Sequence, residues 1–74
     1  MSKRSLTIAG HRTSVSLEDP FWHALADIAA TTGKSVAALV AAVDRDRAGP
    51  LSLSAALRLH ALDWYRERAR AHSI

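Results

Sequence analysis

A small, mainly α domain in which one strand precedes a run of helices is the fold class this sequence predicts. Residues 13–17 alternate strictly, two helical patterns follow with only two residues between them, and a third lies beyond a Gly-Pro break. The chain has 74 residues, 49% apolar and 23% charged, a globular composition whose apolar share leans on Ala. A domain this short buries about 60% of the surface its unfolded chain exposes, and its core supplies roughly 3–5 kcal/mol. With no Cys there is no disulfide framework or thiolate zinc site, and His11, His23, His60 and His72 show no ligand spacing. The staple this predicts is a partner chain, and no cofactor is expected.

The strand is Thr13-Ser14-Val15-Ser16-Leu17, with residues 13, 15 and 17 toward the core. Extending the register back places His11 with the apolar set and Arg12, Ser14 and Ser16 on the opposite, outward face. Leu6 and Ile8 alternate in the opposite phase, with Gly10 between the two registers, where a bulge or break costs least.

Asp19-Pro20 predicts a helix start, with the carboxylate capping free N–H groups and Pro in the first turn. This first helix extends to about Thr32. Phe21, Leu25, Ile28 and Ala29 form its apolar stripe, with Trp22 and Ala26 beside it. Gly33 ends it and Ser35 caps a second helix, with Val36, Leu39, Val40 and Val43 at core spacing up to about Asp44. Residues 45–52 read as a charged loop. Ser52 or Ser54 then begins a third helix, which carries Leu53, Leu57, Ala61 and Trp64 on one stripe and Leu59 and Leu62 on another. Its apolar residues cover too many sides for a helix bathed in solvent.

The net charge of +3 is unevenly placed. Residues 1–17 hold Lys3, Arg4 and Arg12 with no acid. Residues 18–44 set Lys34 against Glu18, Asp19, Asp27 and Asp44, and residues 45–74 carry six Arg against Asp46, Asp63 and Glu67. Residues 1–10 therefore form a basic arm suited to a polyanion. No apolar run approaches the 18–20 or so residues of a membrane span and no signal-peptide core is present, so a cytoplasmic protein is expected. A chain this small has little room for a buried pocket with a supporting shell, and no nucleophile and base stand at readable spacing. A non-enzyme is expected.

A lone strand cannot satisfy its own ladder. Residues 3–9 could fold back on 11–17, but Ala9-Gly10 is not the Asn-Gly or Asp-Gly pair that marks two-residue hairpins. Pairing with the same strand of a second copy, antiparallel about a two-fold axis, is the expected solution and also supplies burial.

Strand, helix, Gly-turn and helix, with outward polar residues on the strand and Gly33-Lys34-Ser35-Val36 opening the second helix, resemble the ribbon-helix-helix family of the Met and Arc repressors. The run 10–18 (Gly-His-Arg-Thr-Ser-Val-Ser-Leu-Glu), Phe21-Trp22 and residues 54–59 (Ser-Ala-Ala-Leu-Arg-Leu) are similar to a bacterial subgroup of small proteins with this domain. The resemblance implies an intertwined homodimer whose intermolecular two-stranded antiparallel ribbon enters the major groove of double-stranded DNA as a transcription regulator. It divides the chain into a basic arm (1–10), a ribbon-helix-helix core (11–44), a loop (45–52) and an additional helix with its tail (53–74). It implies base reading by Arg12, Ser14 and Ser16. Phosphate anchoring falls to Lys34, Ser35 and Val36, the latter two through backbone N–H groups, with Lys3 and Arg4 from the arm. The pattern fits elementary geometry, since a two-stranded ribbon matches a major groove about 12 Å wide and a helix amino terminus attracts anions.

Each reading has a plainer counterpart. Arg12, Ser14 and Ser16 could be an ordinary polar strand face, and Lys34-Ser35 a helix cap with a solvated Lys. Gly33-Lys34-Ser35 echoes the end of a nucleotide-binding loop, but Ile28 stands where the first Gly belongs, which excludes that function. Phe21, Trp22, Trp64 and Tyr65 lie at core spacing and read as core or dimer interface rather than as a base-stacking platform. His60 reads as an interface residue, and Arg66, Arg68 and Arg70 as a solvated helix end. The alternative function is a protein-interaction module whose third helix docks a partner while the ribbon leaves DNA alone.

Overall fold

In the computed structural model, which describes residues 1–47 and 49–71, a β-hairpin is followed by three helices. The elements are β1 (Ser2–Ile8), β2 (His11–Leu17), α1 (Asp19–Thr31), α2 (Val36–Asp46) and α3 (Leu53–Ala71). The basic arm is thus a strand. β1 and β2 pair antiparallel in the register Ser2↔Leu17 through Ile8↔His11, joined by the two-residue turn Ala9-Gly10. The strand partner expected from an intertwined second copy is supplied by the chain itself. Both turn residues have positive φ, 51° at Ala9 and 82° at Gly10, which is the requirement of the type I′ turn that matches strand twist. Gly10 adopts this freely. Ala9 does so at a steric cost, at a position where Asn or Asp is the usual residue.

The same turn explains the opposite phases of the two strands. A two-residue connection pairs residue 8 with 11 and 6 with 13, so the inward set is even-numbered on β1 and odd-numbered on β2. No bulge is needed at Gly10.

Ile8, Val15 and Leu17 are buried on the inward face, against Trp22, Leu25, Ile28 and Ala29 of α1 and Leu39, Val40 and Val43 of α2. Ala56, Leu57 and Ala61 of α3 complete this core. α2 packs beneath β1 and α3 beneath β2. The burial expected from a second copy is provided in part by α3, whose Leu57 is fully enclosed.

Helix boundaries follow local chemistry. Glu18 occupies the N-cap of α1 with no side-chain capping bond, and the Asp19 carboxylate, expected to cap the helix, instead accepts from the Ser2 hydroxyl. The Trp22 indole N–H donates to the Ser2 carbonyl at 2.9 Å, so α1 fastens the start of β1 twice. Gly33, at φ 71°, ends α1, with Gly33 N–H donating to Ala30 O and Lys34 N–H to Ala29 O, the Schellman pattern. The axis bends by 98° into α2.

The Ser35 hydroxyl caps α2 by accepting from Ala38 N–H at 3.1 Å. α2 continues into the segment read as loop, to Asp46, and Arg47 then pairs with Asp44 at 3.0 Å and donates to Leu51 O. Of the two candidates for starting α3, Ser52 takes the cap, accepting from Ala55 N–H at 3.1 Å. Ser54 donates to the Ser16 carbonyl of β2 at 3.0 Å. Residues 72–74 of the expected tail lie outside the described residues.

Candidate nucleic-acid interface

Pleating sends alternate side chains of the hairpin to opposite faces. Cross-strand partners share a face, so Lys3 with Ser16, Ser5 with Ser14, and Thr7 with Arg12 stand together on the side away from the helices. All six are exposed except Ser16, which is half-buried. Four hydroxyls and two cations occupy this face, and no acid does. Strands of seven residues span roughly 23 Å at the usual rise, and paired strands lie about 4.8 Å apart, so the ribbon is long and narrow.

The structure therefore brings Arg12, Ser14 and Ser16 together, as the alternation predicts, and adds Ser5 and Thr7 beside them. Both lie in residues 1–10, which the sequence presents as a basic arm, and neither is among the residues the alternation of 11–17 marks as outward. The signal was the Lys3-x-Ser5-x-Thr7 alternation itself, legible once the phase change is read as a turn.

Lys3 and Arg4, grouped as anchors, separate. Lys3 stands on the outward face opposite Ser16, whereas Arg4 is on the inward side opposite Val15, its guanidinium 4.8 Å from the centre of the Trp22 ring. Lys34, Ser35 and Val36 lie on another element, the α1–α2 turn. Lys34 and Ser35 are exposed, and the geometry of a helix start leaves the N–H groups of Val36 and Ala37 without an intrahelical acceptor.

A second feature joins the ribbon base to α3. Arg58 grips Glu18 with two hydrogen bonds, Nε to Oε1 at 2.8 Å and Nη2 to Oε2 at 3.1 Å, and its guanidinium lies 5.9 Å from the Phe21 ring centre. The Arg58 hydrogen bonds hold the Glu18 carboxyl below its ordinary 4.5, and the Ser2 hydroxyl lowers Asp19 below 3.8. Neither group is sequestered from water, so both act as orienting contacts at the strand-to-helix junction.

Trp22 lies in the core, while Phe21 and Trp64 are half-buried against it. Tyr65 is 40% exposed, and Leu59 and Leu62 are each 50% exposed. Leu62 and Tyr65 line an apolar groove with Pro20, Phe21 and Ala24 of α1. His60 is half-buried. At the end of α3, Arg68 stacks on Trp64 at 4.6 Å and Arg70 pairs with Glu67 at 2.7 Å. Among the described residues, no group of three or more His, Cys, Asp or Glu is placed to hold a metal ion, and no single helix is long and apolar enough to cross a membrane.

Comparison with known proteins adds one finding. A family model described as a ribbon-helix-helix domain matches residues 1–65, from the start of the hairpin through most of α3. No curated protein and no solved structure matches the chain.

Proposed function

Since the chain belongs to the ribbon-helix-helix family, whose members are generally DNA-binding transcription regulators, typically dimeric and non-enzymatic, we propose that it is a cytoplasmic regulator that binds double-stranded DNA as a homodimer. The observation that carries this reading is the acid-free outward face of the hairpin, with Lys3 and Arg12 among four hydroxyls. On this reading Arg12 contacts a base edge through its fork of donors, and Ser14 and Ser16 contact bases or phosphates. Lys3 and Lys34 neutralise phosphates, whereas Arg4 lies on the opposite face of the ribbon against Trp22. The backbone N–H groups of Ser35 and Val36 hold a phosphate at the start of α2.

Two Ser per strand discriminate weakly, so sequence preference rests chiefly on Arg12, one bidentate contact being worth about 1–3 kcal/mol. Selection from random duplex DNA at physiological salt tests the reading. Enrichment of a defined element by the wild type, lost or relaxed with Arg12→Ala, is expected. Equal pools from the two proteins would refute it.

A second reading is favoured by the apolar groove between α1 and α3, where Leu62 and Tyr65 stand open beside Phe21. On that reading the domain docks a protein helix and the ribbon does not read DNA. Binding would then change little with salt, whereas phosphate contacts weaken steeply as salt rises.

A further inference from the structure

The two strands of the hairpin are near copies of one another. β1 reads Ser2-Lys3-Arg4-Ser5-Leu6-Thr7-Ile8 and β2 reads His11-Arg12-Thr13-Ser14-Val15-Ser16-Leu17. With a constant offset of nine residues, cation matches cation at 3 and 12, Ser matches Ser at 5 and 14, and hydroxyl matches hydroxyl at 7 and 16. On the other face, Leu6 matches Val15 and Ile8 matches Leu17.

The register turns this repeat into symmetry. Ser5 pairs with Ser14 at the middle of the ladder, and a two-fold axis through that pair, perpendicular to the sheet, carries each residue of β1 onto the residue nine positions later in β2. Lys3 and Arg12 thereby occupy diagonally opposite corners of the outward face, and Thr7 and Ser16 the other two. The apolar part of the inward face obeys the same axis, since Ile8 and Leu17 are both buried, while Arg4 and Thr13, and Ser2 and His11, depart from it.

A two-fold ribbon is what two identical strands from two chains would present to the two-fold axis of duplex DNA. The geometry points to a DNA-reading ribbon that is complete within one chain, with Lys3, Ser5 and Thr7 of β1 acting as the symmetry equivalents of Arg12, Ser14 and Ser16. This assignment rests on the DNA-binding reading above and deepens it. One chain reads a short, nearly palindromic element across the major groove, and a homodimer carries two such ribbons. The departure from exact symmetry is chemical, because Lys3 offers a point charge where Arg12 offers a planar fork. The two halves of the element therefore differ in their specificity more than in their attraction.

Two experiments test this. In a hairpin joined by a two-residue turn, the flanking pair Ile8–His11 is hydrogen-bonded, so Ser5–Ser14 falls three steps on at a non-hydrogen-bonded position, with Cα atoms about 4.5 Å apart and within disulfide range. The chain has no Cys of its own. Oxidised Ser5→Cys/Ser14→Cys should run as a single chain with an internal disulfide on a non-reducing gel. A disulfide-linked dimer would overturn the single-chain ribbon whatever the protein binds.

For the DNA contacts, Lys3→Ala and Arg12→Ala should each weaken binding to the selected element, each lower the salt slope by about 1, and each relax base preference in its own half of the element, Arg12→Ala the more strongly. Wild-type binding with Lys3→Ala indistinguishable from it would overturn the equivalence and leave DNA binding intact. A wild type with no affinity for duplex DNA, even at low salt, would overturn both.

Discussion

Ala9 holds φ 51° in the hairpin turn, a conformation in which its Cβ crowds the following carbonyl and which costs a non-glycine residue roughly 1–2 kcal/mol. Asn tolerates it better, so Ala9→Asn should raise the thermal midpoint by a few degrees, which calorimetry would read directly. A lower midpoint would mean that the turn is not of this type. Glu18 and Asp19 set a second expectation at this scale. Both carboxyls titrate lower in the folded chain than their ordinary values of 4.5 and 3.8, Glu18 because of Arg58 and Asp19 because of the Ser2 hydroxyl. The folded state therefore binds fewer protons than the unfolded state in the acid range. The contribution of these contacts is complete above those values and is lost as pH falls through the lower, folded-state ones. Denaturant titrations from pH 6 down to about 2.5 should show Glu18→Gln/Asp19→Asn losing less stability on acidification than the wild type. Equal slopes would remove both contacts from the account.

At the scale of elements, α3 is a working part of the fold rather than an appendage. Its Leu57 is fully buried, its Ser54 donates to β2 and its Arg58 clasps the end of the strand. Leu57→Ala should cost about 2–5 kcal/mol and lower the midpoint by at least roughly 8 °C, measured by thermal circular dichroism. A loss under about 0.5 kcal/mol, the range of surface changes, would show α3 to be dispensable. The hairpin is the complementary case. One face is committed to the core through Ile8, Val15 and Leu17, and that commitment frees Lys3, Ser5, Thr7, Arg12, Ser14 and Ser16 for contact with a ligand. A one-residue slip in register would exchange the two faces and bury the cations, so the same apolar residues that stabilise the sheet also aim its polar side chains.

For the whole molecule, the charge pattern acquires a direction. The positive charge of the first 17 residues is split by the pleat, with Lys3 and Arg12 on the open face and Arg4 turned toward Trp22. The slope of log affinity against log salt is expected to be about −0.9 for each phosphate neutralised, which gives roughly −2 for the two outward cations of one ribbon and a steeper value with Lys34 or a second chain engaged. Filter binding between about 50 and 200 mM salt would measure it. A slope near zero would favour the apolar groove of α1 and α3 as the functional surface.

Alternation, the Gly33 stop, the Ser35 cap and the core spacing of all three helices are local properties, and local chemistry set them at the sequence level: the outward placement of Arg12, Ser14 and Ser16 was legible for that reason. Asp19 was misread because its rival partner, Ser2, is 17 residues away and becomes adjacent only when β1 closes. The strand's partner was misread for a similar reason. A turn costs little or much according to what the rest of the fold returns for it. The strain at Ala9 is offset only when Ile8 reaches a core that α1, α2 and α3 have built. Sequence alone thus determined that a strand must pair and which of its faces must stay polar. Tertiary structure decided which strand it pairs with, because that choice weighs one strained residue against burial contributed by the whole chain.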